Sequence, residues 1–437
     1  MLLANPRYAP RRADVMLAAI VFAAALVAPA RAQAGDDDER FVVVRAARVI
    51  TISGKDVEGG MIVLANGKIR NVGRDIEYPR NSRVFDAGRW VVMPGLINPH
   101  SRHGLTGYQR TGVQGQLGAT DEYILSDGDM DELVKAGYTA VALTPLGNGI
   151  PGTAMIVRTG GPSDQRVLDE SAYLKVLADK MTLRGAFERA QAEIDKVEKA
   201  KKEFEDKQKA AASQPASAPA SGPASQPTSQ PASAPASQPA FQPPPIDPSH
   251  KPLVDLIQKK EGDRCLVELT TASDLLHLNQ VFEKYDVERD FLIRNSGFAA
   301  NFNYVVETLG ERKSRVVAYP TEDRLPNSVI RNPLHRDLTH AGCELTTIPL
   351  NDSGTEHLNV MSRLASLVRD GWSREEAMKS VTLHPARLLG LEKRLGTIEK
   401  DREGDFTFYD RDPLDPTARV MAVMIAGEVV YVAEEFE

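Results

Sequence analysis

The chain has 437 residues, 42% hydrophobic and 26% charged, with a formal net charge of −7. That balance belongs to a soluble globular protein with enough apolar material for a sizeable core, in one large domain with an appendage or in two ordinary ones. The acidic excess, with no cluster of Lys and Arg interleaved with aromatics in the mature region, excludes a conventional nucleic-acid partner.

The first element is a targeting segment. Arg7, Arg11 and Arg12 form a positive start, residues 15–28 an apolar run, and Ala30-Arg31-Ala32 and Ala32-Gln33-Ala34 two small-x-small cleavage patterns. This three-part shape predicts a signal peptide over residues 1–34. The run is short for a hydrocarbon layer of roughly 30 Å, so cleavage is expected rather than anchoring. The mature protein is expected to be exported, periplasmic or extracellular, with no membrane contact beyond the signal. Export would permit a disulfide between Cys265 and Cys343, but both open apolar strand patterns, where two free buried thiols are expected.

Residues 41–93 read as short strands. Apolar runs at 41–44, 48–52 and 61–64 lead to Asn66-Gly67, a strong hairpin signal, and a return strand at 68–73. After Pro94-Gly95, strand patterns at 139–144, 264–269, 290–294, 315–319 and 344–350 alternate with helical stretches, which predicts a parallel sheet with helical crossovers over 94–392. Residues 184–209 are highly charged and read as a solvated helical arm. Residues 210–249 turn to Ala/Ser/Pro/Gln repeats such as Ser213-Gln214-Pro215-Ala216, which cannot bury enough apolar surface to offset ordering and are expected to be disordered. Residues 393–437 return to β pattern, so both chain ends are expected to combine in one composite β-sandwich.

Several motifs resemble the amidohydrolase superfamily. Val91-Val92-Met93-Pro94-Gly95-Leu96-Ile97-Asn98-Pro99-His100 is similar to that family's first barrel strand, Pro-Gly-(Leu/Phe)-Ile-Asp-x-His-x-His. Gly67-Lys68-Ile69 and Phe85-Asp86-Ala87-Gly88 resemble its entry hairpins. Thr382-Leu383-His384-Pro385-Ala386-Arg387-Leu388-Leu389-Gly390, Leu395-Gly396-Thr397-Ile398-Glu399 and Gly427-Glu428-Val429-Val430-Tyr431 resemble its closing segments. The resemblance covers residues 41–435 apart from the insert, and lies nearest the imidazolonepropionase-like and related exported members. It implies an α/β fold, a distorted TIM (β/α)8 barrel beside the composite β-sandwich.

The family's chemistry uses a divalent metal, zinc or a similar ion, held at the carboxyl ends of barrel strands to activate water and polarise a scissile carbonyl. By resemblance His100 takes the first metal-ligand position, Glu268 stands where a His is usual, and Asp352 matches the acid that binds metal and shuttles the proton. Departures are many. Arg102 replaces the second His, and His103 falls one residue late, where alternation along a strand points it away. Asn98 replaces an Asp, Thr270 stands at another usual His place, and Arg294 ends the next strand. Lys175 is the nearest candidate for the lysine that some members carbamylate. Asp352 could equally be a helix cap. The remaining His residues, His277, His335, His340, His357 and His384, read as ordinary solvated residues.

Two readings stay open. One is a hydrolase of non-peptide carbon–nitrogen bonds that keeps one divalent metal on His100, Glu268 and Asp352. The other is an inactive relative that binds a small anionic ligand through Arg102 and Arg294, or stabilises a homo-oligomeric or heterologous partner. A third, weaker reading makes the charged helix and Pro-rich arm a scaffold.

Overall fold

The computed structural model describes residues 39–124, 128, 130–177, 179–212, 240–260, 262–295, 301–322 and 331–434. The expected signal peptide and most of the Ala/Ser/Pro/Gln insert lie outside these residues. Residues 40–437 form one compact unit, built on two eight-stranded sheets.

Both chain ends contribute to the first sheet. It contains β1 (Phe41–Val49), β2 (Val57–Glu58), β3 (Met61–Ala65), β4 (Lys68–Gly73) and β5 (Arg83–Pro94) from the N-terminal side, with β14 (Phe406–Tyr409), β15 (Val420–Ile425) and β16 (Glu428–Val432) from the C-terminal side. Its order is β16-β15-β14-β5-β1-β3-β4, with β2 paired to β1. Asn66 (φ 50°) and Gly67 (φ 76°) both take the left-handed region, as the two-residue turn between β3 and β4 requires. A Cβ at Gly67 would stand 2.4 Å from the Ala426 carbonyl oxygen. The hairpin tip therefore packs against the β15–β16 turn, and Gly404 N donates to Gly67 O at 2.7 Å. The sheet curls so that Val44, Ile62, Leu64, Trp90, Val92, Phe406 and Phe408 enclose its own core.

The second sheet is the barrel. In chain order it holds β6 (Leu96–Ser101), β7 (Tyr138–Leu143), β8 (Gly149–Arg158), β9 (Val167–Leu177), β10 (Cys265–Leu269), β11 (Asp290–Ile293), β12 (Arg315–Ala318) and β13 (Glu344–Thr347), each beside the next. Ile97 N donates to Val381 O and Thr347 N to Ser380 O, both at 2.9 Å. The pair Ser380–Val381 thus bridges β13 to β6 and closes the ring. Gly95, between β5 and β6, lies against Thr139, where a Cβ would stand 2.2 Å from its side chain.

One expectation needs correction. The alternation of strands and helices predicts a wholly parallel barrel, but β8 runs antiparallel to both neighbours. Residues 138–177 form a meander with no α-helix between its strands, only a short 3-10 turn at Ser163–Gln165. The reason lies in the Gly-rich connection Gly147-Asn148-Gly149, where positive φ at both glycines turns the chain back at once. The helices α1 (Asp131–Lys135), α2 (Lys180–Ala212), α3 (Lys251–Ile257), α4 (Ala272–Tyr285), α5 (Val306–Glu311), α6 (Leu334–His340), α7 (Gly354–Arg369), α8 (Arg374–Lys379) and α9 (Leu383–Leu388) complete the unit.

The charged arm is also more embedded than its composition suggests. Leu183, Ala186, Phe187, Ala190 and Ile194 of α2 are buried in the main core, a spacing of three and four that gives one apolar helix stripe. Further along, Phe204 meets Phe241 with ring centroids 5.5 Å apart, and Lys196 Nζ donates to Pro245 O at 3.2 Å. The chain on either side of the insert is held together on this helix. No helix among the described residues is long and apolar enough to cross a membrane.

Candidate functional site

Alternation along the barrel strands decides what enters its mouth. Tyr173, Leu266, Leu292 and Val317 share the inner cluster with Ile97, Ala140 and Ile156. Successive strand residues point to opposite faces, so positions two further on also face inward. These are Lys175 on β9, Glu268 on β10, Arg294 just past β11 and Tyr319 just past β12. All lie at carboxyl ends of parallel strands, the end where barrel proteins assemble their sites.

Glu268 is the centre of this cluster. Its side chain is 2% exposed, and its Oε2 stands 3.7 Å from Lys175 Nζ, itself 6% exposed. Its Oε1 accepts a charge-assisted hydrogen bond from the Arg294 guanidinium. Burial works against the Glu268 charge, but Lys175, His100 and Arg294 together hold the carboxyl below its ordinary value. Burial pushes Lys175 down, against the pull of Glu268; its Nζ also donates to Pro145 O at 3.3 Å. His100 is pushed down to about 4 by burial and by Lys175, with Glu268 and Asp352 opposing. The imidazole is therefore neutral at pH 7, and its Nε2 is buried with no hydrogen-bond partner among the described residues.

Asp352 follows β13, and β6 holds it in place. Ser101 Oγ donates to its Oδ1 at 2.6 Å and Arg102 N to its Oδ2 at 2.9 Å. It does not cap α7; Ser353 does, its Oγ accepting from Glu356 N at 3.3 Å. The structure therefore brings His100, Glu268, Arg294 and Asp352 to one mouth, with Lys175 among them. Tyr319 joins them electrostatically, its hydroxyl pushed up chiefly by burial, with Arg294 opposing.

Arg102 is a correction. Its guanidinium does not stand open to a ligand. Nη1 donates to Thr144 O at 3.1 Å, and Nη2 lies 3.5 Å from Gly107 O and 3.8 Å from Glu122 Oε2. Glu122 is in turn paired with buried Arg110 at 2.7 Å. A long, always-charged side chain next to a buried carboxylate is drawn to it, so Arg102 pins the loop after β6. Thr270 also serves structure: its Oγ1 donates to Asp274 Oδ2 at 2.7 Å, at the start of α4. The His residues expected to be solvated divide. His335, His357 and His384 are all buried. For His335 and His357 a signal existed, since each stands three residues before a buried apolar position of its helix, Leu338 and Val360; the reading of them as surface residues ignored it.

The donor set at the mouth does not suit a divalent metal. Glu268 is already neutralised by two cations, and an ion approaching it would meet both. Asp352 already accepts one hydrogen bond at each oxygen from β6, and His100 is a neutral donor beside it. Among the described residues, no three His, Cys, Asp or Glu side chains are gathered closely enough to hold an ion. What the mouth does offer is a cleft of about 610 Å³ lined by Gly112, Asn148, Leu177, Thr270, Glu268 and Arg294. The Arg294 side chain is 49% exposed there, and among the described residues part of its fork remains open to a second acceptor. A larger cavity, about 960 Å³, lies elsewhere, between the first sheet and α8 and α9. Its Arg and Lys are mostly tied to neighbouring carboxylates, for example Arg48 to Asp56 and Arg402 to Glu399, and it touches none of these mouth residues.

Residues 358–431 match the amidohydrolase family model Amidohydro_3. A segment of 65 residues is 45% identical to N-acetylglucosamine-6-phosphate deacetylase of Bos taurus, covering 15% of each chain. The human deacetylase is 42% identical over 64 residues, 15% of this chain and 14% of that one. The matched segment thus spans about 15% of the length of these curated relatives. Among solved structures, an amidohydrolase from Thermotoga maritima superposes with a TM-score of 0.71 at 19% identity, over 90% of this chain and 100% of that one. A prolidase in complex with N-methylphosphonate-L-proline gives 0.51 at 14% identity, over 90% and 100%. Deacetylase and prolidase describe those proteins; residues 358–431 of this chain resemble the amidohydrolase family, and its fold is similar to that of the Thermotoga maritima amidohydrolase.

Proposed function

We propose that this protein is an amidohydrolase-fold binding protein whose barrel mouth takes a small anionic ligand, a carboxylate first of all, without a metal. The observation that carries this reading is the buried Lys175–Glu268–Arg294 cluster. A carboxylate that would otherwise be available to a metal is bound by two cations, and one of them, Arg294, keeps free donors toward the cleft. Planar guanidinium donors match carboxylate geometry, which gives both energy and orientation. Fold membership does not decide between binding and hydrolysis, because function rests on the site. The protein would act outside the cytoplasm after export.

The second reading, hydrolysis of a non-peptide carbon–nitrogen bond, is favoured by the retention of Asp352 at the end of β13. One experiment separates the two. The mature protein is screened by calorimetry against short carboxylates and phosphate, and by amide and cyclic-imide hydrolysis after incubation with zinc, manganese or iron(II). The binding reading expects carboxylate affinity that falls at least tenfold in Arg294→Ala, and no metal-stimulated turnover. Turnover that needs metal and is abolished by His100→Ala and Asp352→Ala would sink it in favour of hydrolysis.

A further inference from the structure

The cleft at the barrel mouth offers hydrogen-bonding groups besides its charged ones. Its volume is about 610 Å³, within the roughly 300–1,000 Å³ of clefts that take small molecules. Arg294 spends Nε and Nη2 on Glu268 Oε1. Its side chain is 49% exposed, so an incoming carboxylate meets the outer edge of the guanidinium. Glu268 lines the same cleft. Its second oxygen, Oε2, is buried with no hydrogen-bond partner among the described residues; Lys175 Nζ stands 3.7 Å away, beyond hydrogen-bonding distance. A buried acceptor without a donor costs free energy until one arrives.

The rest of the lining is rich in acceptors too. Thr182 Oγ1 donates to Asp179 Oδ2 at 2.8 Å, and Thr270 Oγ1 to Asp274 Oδ2 at 2.7 Å. Both hydroxyl protons are thus in use, and the two threonine oxygens offer lone pairs. Asn148, exposed in the connection between β7 and β8, adds an amide that both donates and accepts. A ligand that suits this surface brings one anionic end and several neutral donors.

We infer that the mouth takes a hydroxylated monocarboxylate of the sugar-acid type, with a hydroxyl on the carbon next to the carboxylate. The inference rests on the carboxylate reading of the mouth and names its ligand class. Arg294 and Glu268 are bonded to each other, so the carboxylate that meets the first and the donor that meets the second are neighbours in the ligand. That donor is a hydroxyl rather than an ammonium. Lys175 and Arg294 already flank Glu268, and a third cation would be repelled by both. A hydroxyl supplies the hydrogen bond that Oε2 lacks and adds no charge. The ligand carries a single carboxylate because Asp179 and Asp274 stand in the same lining and repel a second anionic group. Hydroxyls further along its chain meet Asn148, Thr182 and Thr270.

Ligand-observed NMR titrations of the mature protein test this. Acetate, glycolate and glycine vary only the group beside the carboxylate; gluconate and galactonate extend the hydroxylated chain. Glycolate should bind about tenfold more tightly than acetate, the worth of one hydrogen bond to a charged acceptor. Glycine should bind no more tightly than acetate, and one or both sugar acids more tightly than glycolate. In Glu268→Gln the advantage of glycolate over acetate should shrink to about twofold. In Asn148→Ala the sugar acid should weaken while glycolate does not. Circular dichroism confirms that each variant is folded, and Asn148→Ala, at an exposed loop position, keeps the test decisive if Glu268→Gln is not. Equal affinity for acetate and glycolate, with both weakened in Arg294→Ala, overturns this inference and leaves the carboxylate reading standing. Glycine binding more tightly than glycolate also overturns it, in favour of a zwitterion. Binding of none of these acids, or binding indifferent to Arg294→Ala, overturns the carboxylate reading and this inference with it.

Discussion

Replacing Lys175 by Met strips one of the two cations from buried Glu268. Nζ and Oε2 are 3.7 Å apart, with 6% and 2% of the side chains exposed. At an effective dielectric of about 20 the lost attraction is about 4 kcal/mol. Two effects reduce the net change. The variant no longer buries an ammonium, which itself costs several kcal/mol, and Arg294 still neutralises Oε1 of Glu268. Breaking a buried pair by removing one partner typically costs about 3–5 kcal/mol, and the remaining Arg294 contact brings the expected loss to about 2–3 kcal/mol. Urea unfolding of the mature protein at pH 7, followed by far-ultraviolet circular dichroism, measures it. The double variant Lys175→Met/Glu268→Gln removes the stranded charge and should recover most of the loss. The sign with pH follows from Glu268, whose carboxyl is held below its ordinary value: its ionic stabilisation is present above the unfolded carboxylate pKa and fades as pH falls through the lower folded value. In Lys175→Met that stabilisation is weaker, so the gap between variant and wild type should narrow in acid. A single variant as stable as wild type, with no gain in the double, would refute the claim that this cluster is a coupled ionic unit.

Asp405 gives a second pH signature. Burial raises its carboxyl to about 6 from 3.8, with Arg158 and the Ala426 amide opposing. The folded state therefore holds the proton more tightly, and the Asp405 contribution, complete below about pH 4, is lost as pH rises through about 6. The shift corresponds to about 3 kcal/mol, read as the difference between the pH–stability curves of wild type and Asp405→Asn; parallel curves would contradict it. Replacing residues 213–239 by a six-residue Gly/Ser linker should leave the fold intact and stabilise it by about 1 kcal/mol through a shorter loop closure, since Phe204–Phe241 and Lys196–Pro245 already hold both ends. Loss of the native circular-dichroism spectrum in that deletion would show that the insert supports the core.

Much of the fold was legible because its signals are local. Asn66-Gly67 specified its turn, since few other residue pairs accept positive φ twice in succession. The motif around Pro94-Gly95 and the segment from Thr382 to Gly396 marked the two joints between sheet and barrel. The antiparallel β8 was not legible, because a short apolar strand reads alike in either direction and only its hydrogen bonding to β7 and β9 fixes the sense. The buried half of α2 was legible in principle, through Leu183, Phe187, Ala190 and Ile194, but the surrounding charge masked the stripe.

The site divides in the same way. Sequence by itself determined which residue types stand at the ends of the barrel strands: His100, Lys175, Glu268, Arg294 and Asp352 all occupy positions fixed by strand alternation and chain order. Tertiary structure alone decided what those residues do to one another. Glu268 meets Lys175 and Arg294 only when β9, β10 and β11 lie side by side, and Arg102 turns from the mouth because Glu122, twenty residues on, is folded back beneath it. His357 faces Asp352 and His103 because α7 begins where β6 ends in space, not in sequence. Charges act through distance, and distance between remote residues is a property that only the folded chain possesses.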